Sequence, residues 1–206
     1  MKRVCGLLVF GILVVSSVCY AADAEFQLRP YYLIPGQDDY WDYALGVEAR
    51  YVFWTNPNMG IALAGGLATW KANDDVFFEE GLAAQLDGSA LAIPLGVSVL
   101  LRPMPADAPF ELTLEGGLRY VVVNSNVDLA ATDFYYYAED ELDIENSVVG
   151  ILGAELGFPL SDGMGLSLGL GYQIDISEGD AEWFGIDIEE FEMKGFYFNF
   201  GVNISL

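Results

Sequence analysis

The chain has 206 residues, 53% of them hydrophobic, and a formal net charge of −23. It contains no histidine, which removes the commonest general base and the commonest transition-metal ligand, and its acidity disfavours nucleic acid, whose phosphates such a surface repels. The only cysteines, Cys5 and Cys19, fall near the N-terminus, so the rest of the chain has no disulfide or thiol chemistry.

Met1 to Ala24 reads as a Sec signal peptide. Lys2 and Arg3 form the positive segment, and Val4 to Val18 is a mostly apolar run too short for a membrane span. Cleavage after Ala24 would use Ala22-Asp23-Ala24 and is preferred. Cleavage after Ala21 would use Cys19-Tyr20-Ala21. Val18 occupies the position where a lipoprotein signal at Cys19 would need a small residue. Residues 25–206 form the second unit. Losing Lys2, Arg3 and Asp23 takes the 8 basic and 31 acidic residues to six and 30.

Eight segments alternate large apolar with small or polar residues. This period of two marks a strand with two unlike faces. The first is Glu25–Ile34, with Phe26, Leu28, Tyr32 and Ile34 opposed to Gln27, Arg29 and Tyr31, and with Pro30 interrupting its ladder. The second is Tyr43–Trp54 and the third Gly60–Trp70, joined by the turn Thr55-Asn56-Pro57-Asn58. The fourth, Ser89–Arg102, has an unbroken apolar face from Leu91 to Leu101, and Pro94 on its other face predicts a bulge or kink. A Pro-rich turn leads to the fifth, Phe110–Val123. The sixth, Ser147–Phe158, is the least regular. The turn at Asp162-Gly163 precedes the seventh, Gly165–Ile176, and the eighth runs from Gly195 to Leu206.

The second face is rich in Gly, Ala and Ser. Small side chains suit the lumen of a narrow barrel, which leaves the large apolar face to meet lipid. Connections alternate between long and short, the pattern of external loops and periplasmic turns. The predicted fold is an all-β, eight-stranded antiparallel up-and-down transmembrane β-barrel with four long acidic external loops and three short periplasmic turns. A secreted lipocalin-like calyx is the soluble alternative. It would need a polar exterior, and the second face holds too many small residues for one.

On these features the chain resembles the small outer-membrane β-barrel superfamily, which includes the OmpA transmembrane domain and the OmpX and OmpW types. The resemblance implies a barrel in the outer membrane of a bacterium, surrounded by outer-membrane lipid and lipopolysaccharide. Its OmpW branch implies a narrow channel or carrier for small or apolar solutes. Such barrels often end in Phe or Trp, where this sequence has Leu206.

Arg29, Arg50, Arg102 and Arg119 fall on the face expected to point inward, with Glu48, Glu111, Glu115, Glu155 and Asp175. Such charges can pair into a plug, or they can line a selective pore. The external loops carry 22 acids and one lysine, Lys71. Among these acids, Asp74, Asp75, Glu79, Glu80, Glu139, Asp140 and Glu141 could bind Ca²⁺ or Mg²⁺ loosely, although no loop has the spacing of a dedicated calcium site. No other cofactor is expected. Tyr40, Trp41, Trp70, Phe134, Tyr135, Tyr136, Tyr137 and Trp183 cluster at strand ends and read as a membrane-interface girdle or a loop cluster. A non-enzymatic, monomeric protein is the expectation, with a structural or surface-interaction role.

Overall fold

A computed structural model describes residues 23–36, 41–73, 77–79, 82–105, 108–132, 137–141, 143–177, 179–183, 186–191 and 193–206. In chain order the strands are β1 (Asp23–Pro35), β2 (Trp41–Asn56), β3 (Met59–Ala72), β4 (Phe77–Glu79), β5 (Leu82–Leu101), β6 (Glu111–Thr132), β7 (Tyr137–Glu141), β8 (Asp143–Ile144), β9 (Ser147–Ser161), β10 (Met164–Ser177), β11 (Gly179–Trp183), β12 (Ile186–Phe191) and β13 (Gly195–Ser205). Eight of them close an antiparallel barrel in the order β1-β2-β3-β5-β6-β9-β10-β13, and β13 pairs back onto β1 from Glu25↔Ser205 to Pro35↔Gly195. No helix among the described residues is long and apolar enough to cross a membrane.

The apolar parity faces outward. Leu118, Leu152, Leu168, Leu170, Phe196 and Phe198 are each at least half exposed, and the same surface continues around every barrel strand. A continuous apolar surface on this scale is unsustainable in water, whereas lipid requires it. The inward parity is small or polar for a geometric reason. Gly46 lies against the ring of Tyr31, and Gly153 and Gly171 lie against Tyr197. A Cβ on Gly171 would also stand 2.5 Å from the Leu152 carbonyl oxygen. The turn before β10 uses Gly163 at φ 83°, a conformation that costs glycine little.

Pro30 and Pro94 each remove one ladder donor without displacing the strand. The β1–β13 register lapses between Leu28↔Val202 and Tyr31↔Asn199 and resumes in phase. The β3–β5 register does the same between Gly65↔Leu95 and Ala68↔Ala92. The bulge expected at Pro94 is absent: the β5–β6 ladder runs in one register through Pro94↔Val121.

Two strands run further than their alternation predicts. β5 starts at Leu82 and β6 continues to Thr132, in one register from Leu101↔Leu114 to Ala83↔Thr132. β4 and β7 flank this extension, and β12-β11-β8 form a separate three-stranded sheet, all within stretches read from sequence as loops. Outside the lipid, strands can pair without the in–out pattern that a bilayer imposes.

Candidate functional site

Three arginines and three glutamates meet in the middle of the lumen. Arg29 projects from β1, Glu48 and Arg50 from β2, Glu115 and Arg119 from β6, and Glu155 from β9. Arg29 donates to Glu48 and, through Nη1, to Glu155 Oε2 at 3.0 Å. Arg50 Nη1 donates to Glu115 Oε2 at 2.6 Å. Arg119 Nε donates to Glu48 Oε2 at 3.0 Å and its Nη2 to Glu115 Oε1 at 3.2 Å. Ser98 Oγ accepts from Arg119 Nη1 at 2.8 Å and donates to Glu115 Oε1 at 2.7 Å. All six charged residues are buried, and their charges cancel. Burying them is tolerable because most of their polar atoms have partners. Arg29 Nε and Asn199 Oδ1 have no protein partner; both residues border a small cavity of about 40 Å³ with Tyr31, Leu33, Ile151 and Tyr197.

A second set lies at the mouth of the barrel with the short turns, the end read from sequence as periplasmic. Arg102 Nη2 bonds Glu25 Oε2 and Glu111 Oε2, each at 3.0 Å, and its guanidinium sits 3.6 Å from the centroid of the Trp54 ring. Trp54 Nε1 donates to Glu25 Oε2 at 3.1 Å. Gln27 joins the two sets: its Nε2 donates to Glu25 Oε1 at 2.7 Å, and its Oε1 accepts from Arg50 Nε at 2.9 Å. A connected polar chain thus runs from Glu111 at the mouth to the central cluster. Arg102, Glu25 and Glu111 also line a cavity of about 520 Å³ at this end.

The external half of the lumen is apolar instead. Leu33, Trp41, Trp70, Val127, Ile144 and Met193 are buried together, and Trp41 packs edge-to-face on Trp70 at 5.5 Å between centroids. Met193 is held over this layer: its carbonyl accepts from Gln173 Nε2, and its sulfur lies 3.7 Å from Ser147 Oγ.

Of the charges read as inward, the structure brings Arg29, Arg50, Arg119, Glu48, Glu115 and Glu155 into one cluster and Arg102 and Glu111 into the other. Asp175 is half-buried opposite Val149. Glu25, Gln27 and Ser98 complete the clusters and were not singled out from sequence, although Glu25 and Gln27 share the parity of Arg29.

Trp41 and Trp70 correct the girdle expectation, since they are 2% and 3% exposed inside the barrel. Trp70 shares the inward parity of Ala62 and Ala68. Trp41 turns inward because the β2–β3 register shifts between Trp41↔Ala72 and Tyr43↔Lys71, and a one-residue shift reverses the face. The outward-facing aromatic pairs are Tyr32–Tyr43 and Tyr172–Phe196 towards the end with the long connections and Tyr51–Phe53 towards the end with the short turns. Tyr40, Asp74, Asp75, Glu80, Phe134, Tyr135, Tyr136 and residues 1–22 lie outside the described residues. Glu79 falls on β4, Tyr137, Glu139, Asp140 and Glu141 on β7, and Trp183 on β11.

The two polar sets differ in how far water screens them. Arg102→Gln is expected to cost only about 1 kcal/mol, because Glu111 is half exposed and Arg102 itself is partly solvated. Urea unfolding of the folded barrel in detergent checks this, and a loss above about 3 kcal/mol would place the mouth with the buried interior.

A closed eight-stranded barrel with an apolar exterior and an interior filled by its own side chains is the fold of the small outer-membrane β-barrels, which the sequence resembles. Among solved structures, the chain is similar to the outer membrane protein OprG from Pseudomonas aeruginosa, with a TM-score of 0.59 over 91% of this chain and 97% of that one at 8% identity. It is also similar to a major outer membrane protein from Thermus thermophilus, with a TM-score of 0.52 over 89% and 99% at 15% identity. At these identities the likeness is one of fold. No protein-family pattern matches the chain, and no curated protein matches it in sequence.

Proposed function

We propose that this outer-membrane barrel is non-enzymatic, with a structural or surface-interaction role and a lumen that passes no solute. The observation that carries the reading is the buried cluster of Arg29, Arg50 and Arg119 with Glu48, Glu115 and Glu155. The interior of an eight-stranded barrel is only about as wide as its own side chains, and these side chains span it from β1, β2, β6 and β9. The absence of histidine from the sequence supports a non-catalytic role. Export by a Sec leader, residence as a monomer among outer-membrane lipid and lipopolysaccharide, and loose binding of Ca²⁺ or Mg²⁺ by the acidic external segments belong to the same proposal. Of the two cleavage positions, the one after Ala21 is favoured by the ladder contacts of Asp23 and Ala24, which pair with Trp54 and Phe53.

Planar-bilayer recording tests the reading. The folded protein is expected to leave the bilayer at its baseline current, and sustained unitary openings would overturn the proposal. The second reading, a narrow channel or carrier for small or apolar solutes, is favoured by the apolar external half of the lumen around Leu33, Trp41 and Trp70. Openings in the wild type that change in size or selectivity on substituting Arg50 or Arg119 would establish it.

A further inference from the structure

The basic residues of 25–206 are sorted by type. All four arginines lie in the lumen or at its periplasmic mouth, in contact with carboxylates. The two lysines, Lys71 and Lys194, stand at the external end of the lipid-facing surface. Lys71 continues the outward parity of Leu67 and Thr69 on β3, and its partner on β2 is Tyr43, which stacks on Tyr32 at 6.0 Å. Lys194 follows the buried Met193 and precedes the lipid-facing Phe196 by two positions. Its side chain and the Tyr172 hydroxyl both border Gly36, and Tyr172 packs edge-on against Phe196 at 4.7 Å.

The strands carrying these residues are consecutive: β3, β2, β1, β13 and β10. At about 4.8 Å per strand the two lysines are roughly 15 Å apart around the barrel. Between them lie Tyr43 and Tyr32 above an apolar wall, and Tyr172 stands just beyond Lys194 on β10. Lysine stems run along apolar surface and deliver their ammonium groups to the headgroup level. Tyrosine favours the same boundary. Every other charge that the sequence places in the external segments is a carboxylate. A phosphate approaching this end is therefore repelled except along this band. Lys71 Nζ lies 3.6 Å from Asp87 Oδ1, but Asp87 is largely exposed and the pair is weak.

We propose that this band binds a phosphorylated glycolipid of the outer leaflet, with its headgroup phosphates on Lys71 and Lys194 and its acyl chains along Ile34, Leu67 and Phe196. The inference rests on the outer-membrane reading and adds direct recognition by lysine to it. The test measures retention of lipid A, dephosphorylated lipid A and phosphatidylglycerol by the folded barrel in detergent, using native mass spectrometry with EDTA present. The wild type is expected to retain lipid A in preference to both other lipids. The Lys71→Gln/Lys194→Gln double variant should bind lipid A about 30-fold more weakly, and the Lys71→Arg/Lys194→Arg variant should restore it. Equal retention by wild type and the Gln variant would overturn the proposal. Equal retention of lipid A and phosphatidylglycerol would also overturn it, in favour of an unselective anionic-lipid surface. A cold-SDS mobility shift is read on every preparation. A shifted, folded barrel with no lipid preference defeats this inference alone, whereas a wild type without a shift strikes at the barrel reading itself.

Discussion

Glu115→Ala will destabilise the barrel by about 3–5 kcal/mol, the cost of leaving buried charge without its partner. Glu115 is the hub of the central cluster. Its Oε2 accepts from Arg50 Nη1 at 2.6 Å and Arg29 Nη1 at 3.4 Å, and its Oε1 accepts from Ser98 Oγ and Arg119 Nη2. Without it, three guanidinium groups face only Glu48 and Glu155, leaving a net positive charge in the lumen. Arg50, 1% exposed, would depend mainly on Gln27 and on a 3.4 Å contact with Glu155. Urea unfolding followed by tryptophan fluorescence measures the loss, since Trp41, Trp54 and Trp70 are all buried inside the barrel. A loss below about 1 kcal/mol would mean that water already screens the cluster, as at an exposed ion pair. That outcome would also weaken the case for a closed lumen.

The same arithmetic limits what the cluster says about stability. Replacing all six charges together with well-packed apolar residues is expected to be far less harmful than removing one, because a buried ion pair gains little over an apolar filling once desolvation is counted. The cluster therefore matters less as a source of stability than as an occupant of space. Its six side chains meet across the barrel, Gln27 ties them to Glu25 at the mouth, and Trp41, Trp70 and Met193 fill the opposite end.

The barrel crossings were legible because lipid and lumen make opposite demands on successive side chains. Leu166, Leu168, Leu170 and Tyr172 against Ser167, Gly169 and Gly171 leave no other reading for β10. The inward parity of Arg29, Arg50 and Arg119 was legible for the same reason. Their meeting was not, because it depends on the stagger between strands that are not sequence neighbours. Arg102 has the same chemistry and sits at the mouth, bound to Glu25 and Glu111. Trp41 was hidden by a bulge at Asp42 that neither glycine nor proline marks. Trp70 was readable from the parity of Ala62, Ala64 and Ala68; its place at a strand end suggested a girdle instead. The external reach of β5 and β6 left no trace in the alternation, since beyond the bilayer both faces of a strand can meet water.

Leu118→Arg tests the inside-out arrangement on which the rest depends. Leu118 is 50% exposed on β6, seven positions beyond the periplasmic start of the strand at Glu111 and next to the buried Arg119. An arginine near the bilayer midplane of a barrel costs about 2–4 kcal/mol, falling towards zero at the interfaces. Leu118→Arg should therefore lower stability in phospholipid vesicles by about that amount. Asp162→Arg in the turn before β10 serves as the surface control and should stay within about 0.5 kcal/mol of the wild type. Urea titration of vesicle-folded protein, scored by cold-SDS mobility, measures both. Were this outward-facing surface bathed in water instead of lipid, the same leucine would be solvent-exposed and arginine there would be neutral. A Leu118→Arg variant as stable as the Asp162→Arg control would thus remove lipid from the exterior of the barrel. A selective loss at Leu118 would tie the apolar face to the bilayer, and with it the confinement of Arg29, Arg50 and Arg119 to the lumen.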